Sequence, residues 1–202
     1  MQIAAVFFDL DGTLISSFDA WFGIVNEAAS QFGYPPIAKN RFKSAFGQST
    51  DDDAKMFFSG LQPSRLDQFY AQSLRSHIDQ IKLVAGARES LARLEQRGVF
   101  TAVVTNTAFD IAKEILESFK LEPDVLVSGQ DVANPKPYPD AIFRACEVLS
   151  IEPWDVLMVG DSEYDRQAAA AAGSPFAGLG VSGNFDLADV SDTVAIVDGT
   201  YG

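Results

Sequence analysis

Long apolar runs are missing from this chain. Nowhere do its 202 residues approach the ~20 consecutive apolar positions that cross a bilayer. The amino terminus leads straight into a strand-like run, with no basic segment, apolar stretch and cleavage site. The expectation is a cytoplasmic protein with no membrane partner. One cysteine, Cys146, excludes an internal disulfide. One histidine, His77, leaves neither a histidine-cluster metal site nor a Ser/His/Asp triad; its place on a helix makes it an expected surface residue. Positive charge is also scarce: 15 Lys+Arg face 28 Asp+Glu, a net charge of −13. Such a field repels nucleic acid and anionic surfaces. An enzyme this acidic that handled phosphate would need a local cation, a metal or a well-placed lysine.

What is present begins with Ala5-Val6-Phe7-Phe8-Asp9-Leu10-Asp11-Gly12-Thr13-Leu14. Ile3 to Phe8 is short, apolar on both faces and partly β-branched, the signature of a strand buried in a parallel sheet. Asp9 then stands at the carboxyl end of that strand, where open α/β sheets bind ligands. Alone, the Asp-x-Asp-Gly string also fits a solvated turn. It is not an EF-hand loop, which puts its glycine sixth rather than fourth.

Hydrophobic residues make up 47% of the chain, enough for a proper core. Ser17 to Phe32 carries a helical stripe closed by Gly33, and helices are expected over 38–46, 54–61 and 63–81. Asp51-Asp52-Asp53 reads as helix-capping acid at a first turn rather than as a metal site. Residues 15–85 are therefore expected to be all-helical, with no strand. From Leu83 the pattern alternates. Helices are expected over 87–97, 111–119, 140–149 and 163–172, and strands over 100–104, 125–127, 156–159, 176–179 and 194–197. Alternating βα units imply a doubly wound, Rossmann-like parallel sheet. The expected division is an α/β core of residues 1–14 and 86–202 with a helical cap of residues 15–85. Gly178-Leu179-Gly180-Val181-Ser182-Gly183 matches G-x-G-x-x-G, but too little chain follows for a βαβ unit, so it reads as a flexible loop.

Three further strand ends carry polar groups: Thr105-Asn106-Thr107, Asn134-Pro135-Lys136-Pro137-Tyr138-Pro139, and Gly160-Asp161-Ser162-Glu163-Tyr164-Asp165. Each has an ordinary reading as a cap or a surface charge, yet all converge on the sheet edge that holds Asp9. In order and spacing these four segments resemble the motifs of the haloacid dehalogenase (HAD) superfamily over nearly the whole chain. The texture is similar to its phosphoglycolate phosphatase-like and β-phosphoglucomutase-like members with a helical cap.

That resemblance implies a magnesium-dependent phosphatase that acts on a small-molecule phosphomonoester through an aspartyl phosphate, which splits a slow hydrolysis into two steps. It implies Asp9 as nucleophile and Asp11 as acid and base. It implies Mg²⁺ on Asp9, the Asp11 carbonyl and Asp161, with Asp165 as ligand or neighbour. Thr105, Asn106 and Lys136 would hold the phosphate and offset its charge, within a loop that includes Leu10, Asp11 and Gly12. Expected cap contacts are Phe18, Trp21 and Phe22 as an aromatic wall, with Phe46, Gly47, Gln48 and Ser49 in the loop. The alternatives are a sugar phosphomutase of the same fold and, from another class, a non-catalytic phospho-receiver domain. Trp21 and Thr50 stand where mutases are expected to carry a histidine and an arginine, which favours hydrolysis. The chain ends beside the expected last strand, so one flank of the sheet should be less covered. A monomer or a homodimer is expected.

Overall fold

A computed structural model describes residues 3–201. Its centre is a six-stranded sheet in the order β5-β4-β1-β6-β7-β8. The strands are β1 (Ala5–Phe8), β4 (Phe100–Thr105), β5 (Val125–Ser128), β6 (Val156–Gly160), β7 (Phe176–Leu179) and β8 (Phe185–Leu187). Every neighbouring pair is parallel. β1 lies between β4 and β6, and its four residues are all fully buried. Alternation along the strand sends Val6 and Phe8 to one face, and Ala5 and Phe7 to the other. The first face is covered by α5 (Ala87–Gln96), α6 (Phe109–Phe119) and α9 (Asp192–Val197), through Leu91, Ile115 and Val194 among others. α7 (Asp140–Leu149) and α8 (Glu163–Ala172) cover the second, through Ile142, Ala145, Ala168 and Ala169. This is the doubly wound architecture expected from the sequence.

Between β1 and α5 the chain builds α1 (Phe18–Phe32), α2 (Lys39–Lys43), α3 (Thr50–Phe57) and α4 (Pro63–His77). α1 ends on Gly33 at φ +76°, a left-handed cap that glycine adopts without a Cβ penalty. α3 starts from Ser49, whose hydroxyl accepts from the Asp52 N–H. The segment is not purely helical. β2 (Ile15–Ser16) pairs antiparallel with β3 (Lys82–Leu83), clasping the two crossings between sheet and helices. Two-residue strands are too short for hydrophobic periodicity to reveal.

The carboxyl-terminal region departs further from expectation. Residues 194–197 form the end of helix α9, not a strand. A four-residue apolar run cannot distinguish the two by pattern, and here Asp192 accepts hydrogen bonds from the Ala188 and Asp189 N–H groups at the helix start. The sheet flank expected to be less covered thus carries α9, which packs on α5. β8 was not expected at all. It follows β7 through a tight return in which Asn184 N–H donates to the Phe176 carbonyl at 2.8 Å. A Cβ on Gly178 would sit 1.7 Å from the Val181 carbonyl oxygen. The glycine-rich string is therefore a compact, hydrogen-bonded return: close backbone approach requires Gly178 and Gly183, and a φ of +76° suits Gly180.

His77 also differs from the surface residue expected. Its ring packs against Gly23 of α1, its side chain is only 11% exposed, and Nε2 lies 2.8 Å from Glu27 Oε1. No helix among the described residues is long and apolar enough to cross a membrane.

Candidate active site

Asp9, Thr105 and Asp161 lie at or just beyond the carboxyl ends of β1, β4 and β6, the loop between β5 and α7 brings Lys136, and α8 adds Asp165 from its first turn. Lys136 is the hub. Its Nζ donates to Asp9 Oδ1 at 2.7 Å, to Asp165 Oδ1 at 2.6 Å and to the Val104 carbonyl at 2.9 Å. The side chain is 2% exposed, so this is a buried ammonium with all three protons used. Burial pushes the lysine down, but the adjacent Asp165 and Asp9 carboxylates more than reverse this and hold it above its ordinary range.

The carboxylate side is in excess. Oxygens of Asp9, Asp161 and Asp165 all lie within 4.8 Å of one another. Asp9 is held well above the ordinary carboxylate range, first by burial and then by repulsion from Asp165, against the pull of Lys136. Asp161 is pushed up to about 7, again by burial and then by Asp165. Three carboxylates around one ammonium lack a positive charge. All-oxygen donors of this kind suit a hard divalent cation.

The backbone is shaped to admit this crowding. Gly12 sits at φ +86°, and a Cβ there would lie 2.0 Å from Asp161 Oδ2; a Cβ on Gly160 would lie 2.4 Å from Asp165 Cγ. Asp165 also closes a capping box, its Oδ2 accepting from the Ser162 N–H and hydroxyl.

Asp11 faces the other way. Its Oδ1 accepts from Ser17 Oγ at 2.5 Å and Trp21 Nε1 at 2.8 Å, and its Oδ2 from Thr107 Oγ1 at 2.6 Å. The i, i+2 spacing after a strand thus sends one acid to Lys136 and the other to the base of the helical segment. Leu10 is buried, and its carbonyl accepts from Leu14 and Ile15 N–H in the turn that follows. The Gly12 N–H is spent on the Ile15 carbonyl.

Asn106 links the two halves of the molecule. Nδ2 donates to the carbonyls of Lys136 and Gly47, both at 2.9 Å, while Oδ1 accepts from the Lys136 N–H. One side chain therefore fixes the lysine loop and seats the Gly47 loop over the sheet edge. Between them lies a cavity walled by Asp9, Asp11, Thr105, Asn106 and Thr107 below, and Trp21, Phe42, Phe46, Gly47, Gln48, Asp53 and Tyr70 above.

Of the expected aromatic wall, Trp21 is present, but Phe18 and Phe22 are not. They pack behind it on Phe42, at ring distances of 5.3 and 5.7 Å. Several cavity residues escaped the sequence reading. Thr107 stands in the polar segment after β4, but no role was expected for it. Asp53 was grouped with its two neighbours as capping acid. Its carboxylate in fact turns into the cavity wall, accepting from Gln48 Nε2 at 2.7 Å and from Tyr70 OH at 2.9 Å.

Comparison with known proteins accords with this geometry. Residues 6–179 match the haloacid dehalogenase-like hydrolases. The chain belongs to that family. It is 31% identical to a phosphoglycolate phosphatase of Chromobacterium violaceum, over 85% of this chain and 82% of that one. It is 28% identical to an N-acetylmuramic acid 6-phosphate phosphatase of Pseudomonas putida, over 86% of this chain and 81% of that one. Among solved structures, a hydrolase from Pseudomonas syringae superposes with a TM-score of 0.78 at 28% identity, covering 94% of this chain and 89% of that one. The first two of these relatives are named as phosphatases, for different substrates.

Proposed function

We propose that the chain is a Mg²⁺-dependent, phosphoglycolate phosphatase-like enzyme that hydrolyses a small phosphomonoester through phosphorylated Asp9. The observation that carries this reading is the buried Lys136 joining Asp9 to Asp165 at the floor of a cavity, with Asp161 completing an oxygen cluster. Residues 15–85 act as the cap over a core of residues 1–14 and 86–202. The cavity between them is ≈ 50 Å³, which suits a small leaving group. The net charge of −13 supports a small-molecule substrate rather than nucleic acid or a membrane surface.

Asp9, the Asp11 carbonyl and Asp161, with Asp165 beside them, would hold the metal, which when bound supplies the positive charge this site lacks. Asp9 attacks phosphorus as a carboxylate, and the bond from phosphorus to the leaving oxygen breaks. Asp11 gives its proton to that oxygen, then takes one from the water that attacks the aspartyl phosphate and frees inorganic phosphate. Lys136 stays protonated throughout and offsets charge on Asp9 and the phosphoryl oxygens. Thr105 and Asn106 border the same space. Trp21 supports hydrolysis over mutase chemistry: its indole N–H is committed to Asp11 and cannot carry a proton between substrate oxygens.

The test is phosphate release from an aryl phosphate with Mg²⁺. Wild type should turn over many times per site, and Asp9→Asn should lose at least about 10³-fold. Wild-type turnover in Asp9→Asn would remove Asp9 as nucleophile. A single phosphorylation per site without release would instead indicate a receiver.

A further inference from the structure

The substrate class can be narrowed from the charge of the cap side of the cavity. Cavity walls that accept an anionic leaving group need a cation or a cluster of free donors. Among the described residues that wall this cavity there is no lysine, arginine or histidine; its charged members are Asp9, Asp11 and Asp53. Two of these belong to the phosphate floor. The third stands in the cap half, half-buried, among Trp21, Phe46, Gln48 and Tyr70.

The polar partners do not reverse its sign. Gln48 and Tyr70 direct their donors at Asp53, at 2.7 and 2.9 Å, rather than into the cavity. Tyr70 is further held by an edge-on contact with Trp21, at 5.6 Å between rings. Both donors are therefore spent on presenting a carboxyl group. Burial raises Asp53 and the two hydrogen bonds offset only part of that, so the group stays pushed up to about 7. Ionised it repels an anion; protonated it still supplies no positive charge.

We propose that Asp53 is a specificity residue that rejects anionic leaving groups, so that the substrate is a short phosphomonoester bearing a hydroxyl or ammonium donor in place of a carboxylate or second phosphate. The assignment rests on the phosphatase reading above and narrows it, since it sets this chain apart from enzymes that cleave phosphoglycolate. A donor on the leaving group reaches the lone pairs of Asp53 that Gln48 and Tyr70 leave open, while the aromatic rings cover its carbon atoms.

Three two-carbon substrates of equal length test it: 2-hydroxyethyl phosphate, 2-aminoethyl phosphate and 2-phosphoglycolate, with an aryl phosphate as reference. In wild type, kcat/KM for the hydroxyl and amino compounds should exceed that for phosphoglycolate by at least about 10-fold, as a like-charge contact demands. Between the two favoured arms, a larger value for the amine marks Asp53 acting as an anion, and equal values mark it as a hydrogen-bond acceptor. Asp53→Asn should shrink the preference over phosphoglycolate by about 10-fold, mainly through KM. Because this is a ratio within one variant, general loss of activity does not disturb it. Tyr70→Phe, which keeps the carboxylate, should retain the preference. Three results would overturn the proposal: phosphoglycolate cleaved as well as the others, a ratio unchanged in Asp53→Asn, or aryl phosphate cleaved while no two-carbon ester is. Failure on all four compounds would instead remove the phosphatase reading, and this assignment with it.

Discussion

The floor and the roof of the cavity handle charge in opposite ways. On the floor, Asp9, Asp161 and Asp165 crowd around Lys136, and glycines at 12 and 160 let the carboxylates approach the backbone. In the roof a single carboxyl, Asp53, is enclosed by one amide, one phenol and aromatic rings. Crowding of this kind is tolerated where a cation is to be held and a nucleophile kept poised. A lone enclosed acid has no such partner to wait for, and its role follows from what it attracts or repels. The difference separates chemistry from selection: the floor is built for phosphate in general, and the roof for what is attached to it.

Removing the hub should test that division most severely. Lys136→Met leaves Asp9 and Asp165 buried without their ammonium, which should destabilise the protein by about 3–5 kcal/mol and lower kcat by about 10²–10³-fold. Thermal melts and phosphate release measure both. The matching cut in the roof, Tyr70→Phe, removes one hydrogen bond to Asp53 and should cost about 1 kcal/mol. Equal losses from the two would mean that floor and roof are not differently built.

pH should separate the halves next. Asp161 and Asp53 are both pushed up to about 7 in the folded protein, mainly by burial. Between about pH 4 and 7 the folded state thus binds more protons than the unfolded one, and linkage makes stability fall as pH rises, by up to about 1.4 kcal/mol per pH unit for each group. Above about pH 7 this contribution levels off. Metal-free melts should therefore show decreasing Tm across that window. Mg²⁺ should flatten the share due to the floor, and Asp53→Asn the share due to the roof. A Tm that rises with pH across the window would show that neither acid is held as the geometry indicates.

The floor was legible in the sequence and the roof only in part: Trp21, Phe46, Gly47 and Gln48 were expected there, and Asp53 and Tyr70 were not. The reason is physical. Floor residues sit at strand ends, where buried apolar runs of Ala5 to Phe8, Ala102 to Val104 and Val156 to Val159 stop at polar groups, and a parallel sheet brings such ends together. The roof depends on how α1, α3 and α4 pack, which no strand ending records. Asp53 is a case in point: Asp51, Asp52 and Asp53 satisfy the helix dipole alike, and only the rotation of α3 sends the third inward. Phe18 and Phe22 share a helix stripe with Trp21, yet only Trp21 reaches the cavity. The strand expected at 194–197 failed for want of length, since four apolar residues fit a short helix equally well.

Trp21 is where floor and roof meet, and it offers the smallest and sharpest test of the comparison. It belongs to α1, but its Nε1 donates to Asp11 Oδ1 on the floor while its ring faces Tyr70. Trp21→Phe keeps an aromatic face and removes that donor, leaving Ser17 and Thr107 on Asp11. One neutral donor to a carboxylate is worth about 1.5–2 kcal/mol, so kcat should fall about 10- to 30-fold. If Trp21 serves the chemistry, that fall is the same for aryl and two-carbon phosphates, with KM little changed. If it serves selection, KM rises for some substrates and not for others. The first pattern would place the boundary between chemistry and selection inside α1, with Trp21 counted as part of the floor and the roof beginning at Asp53 and Tyr70.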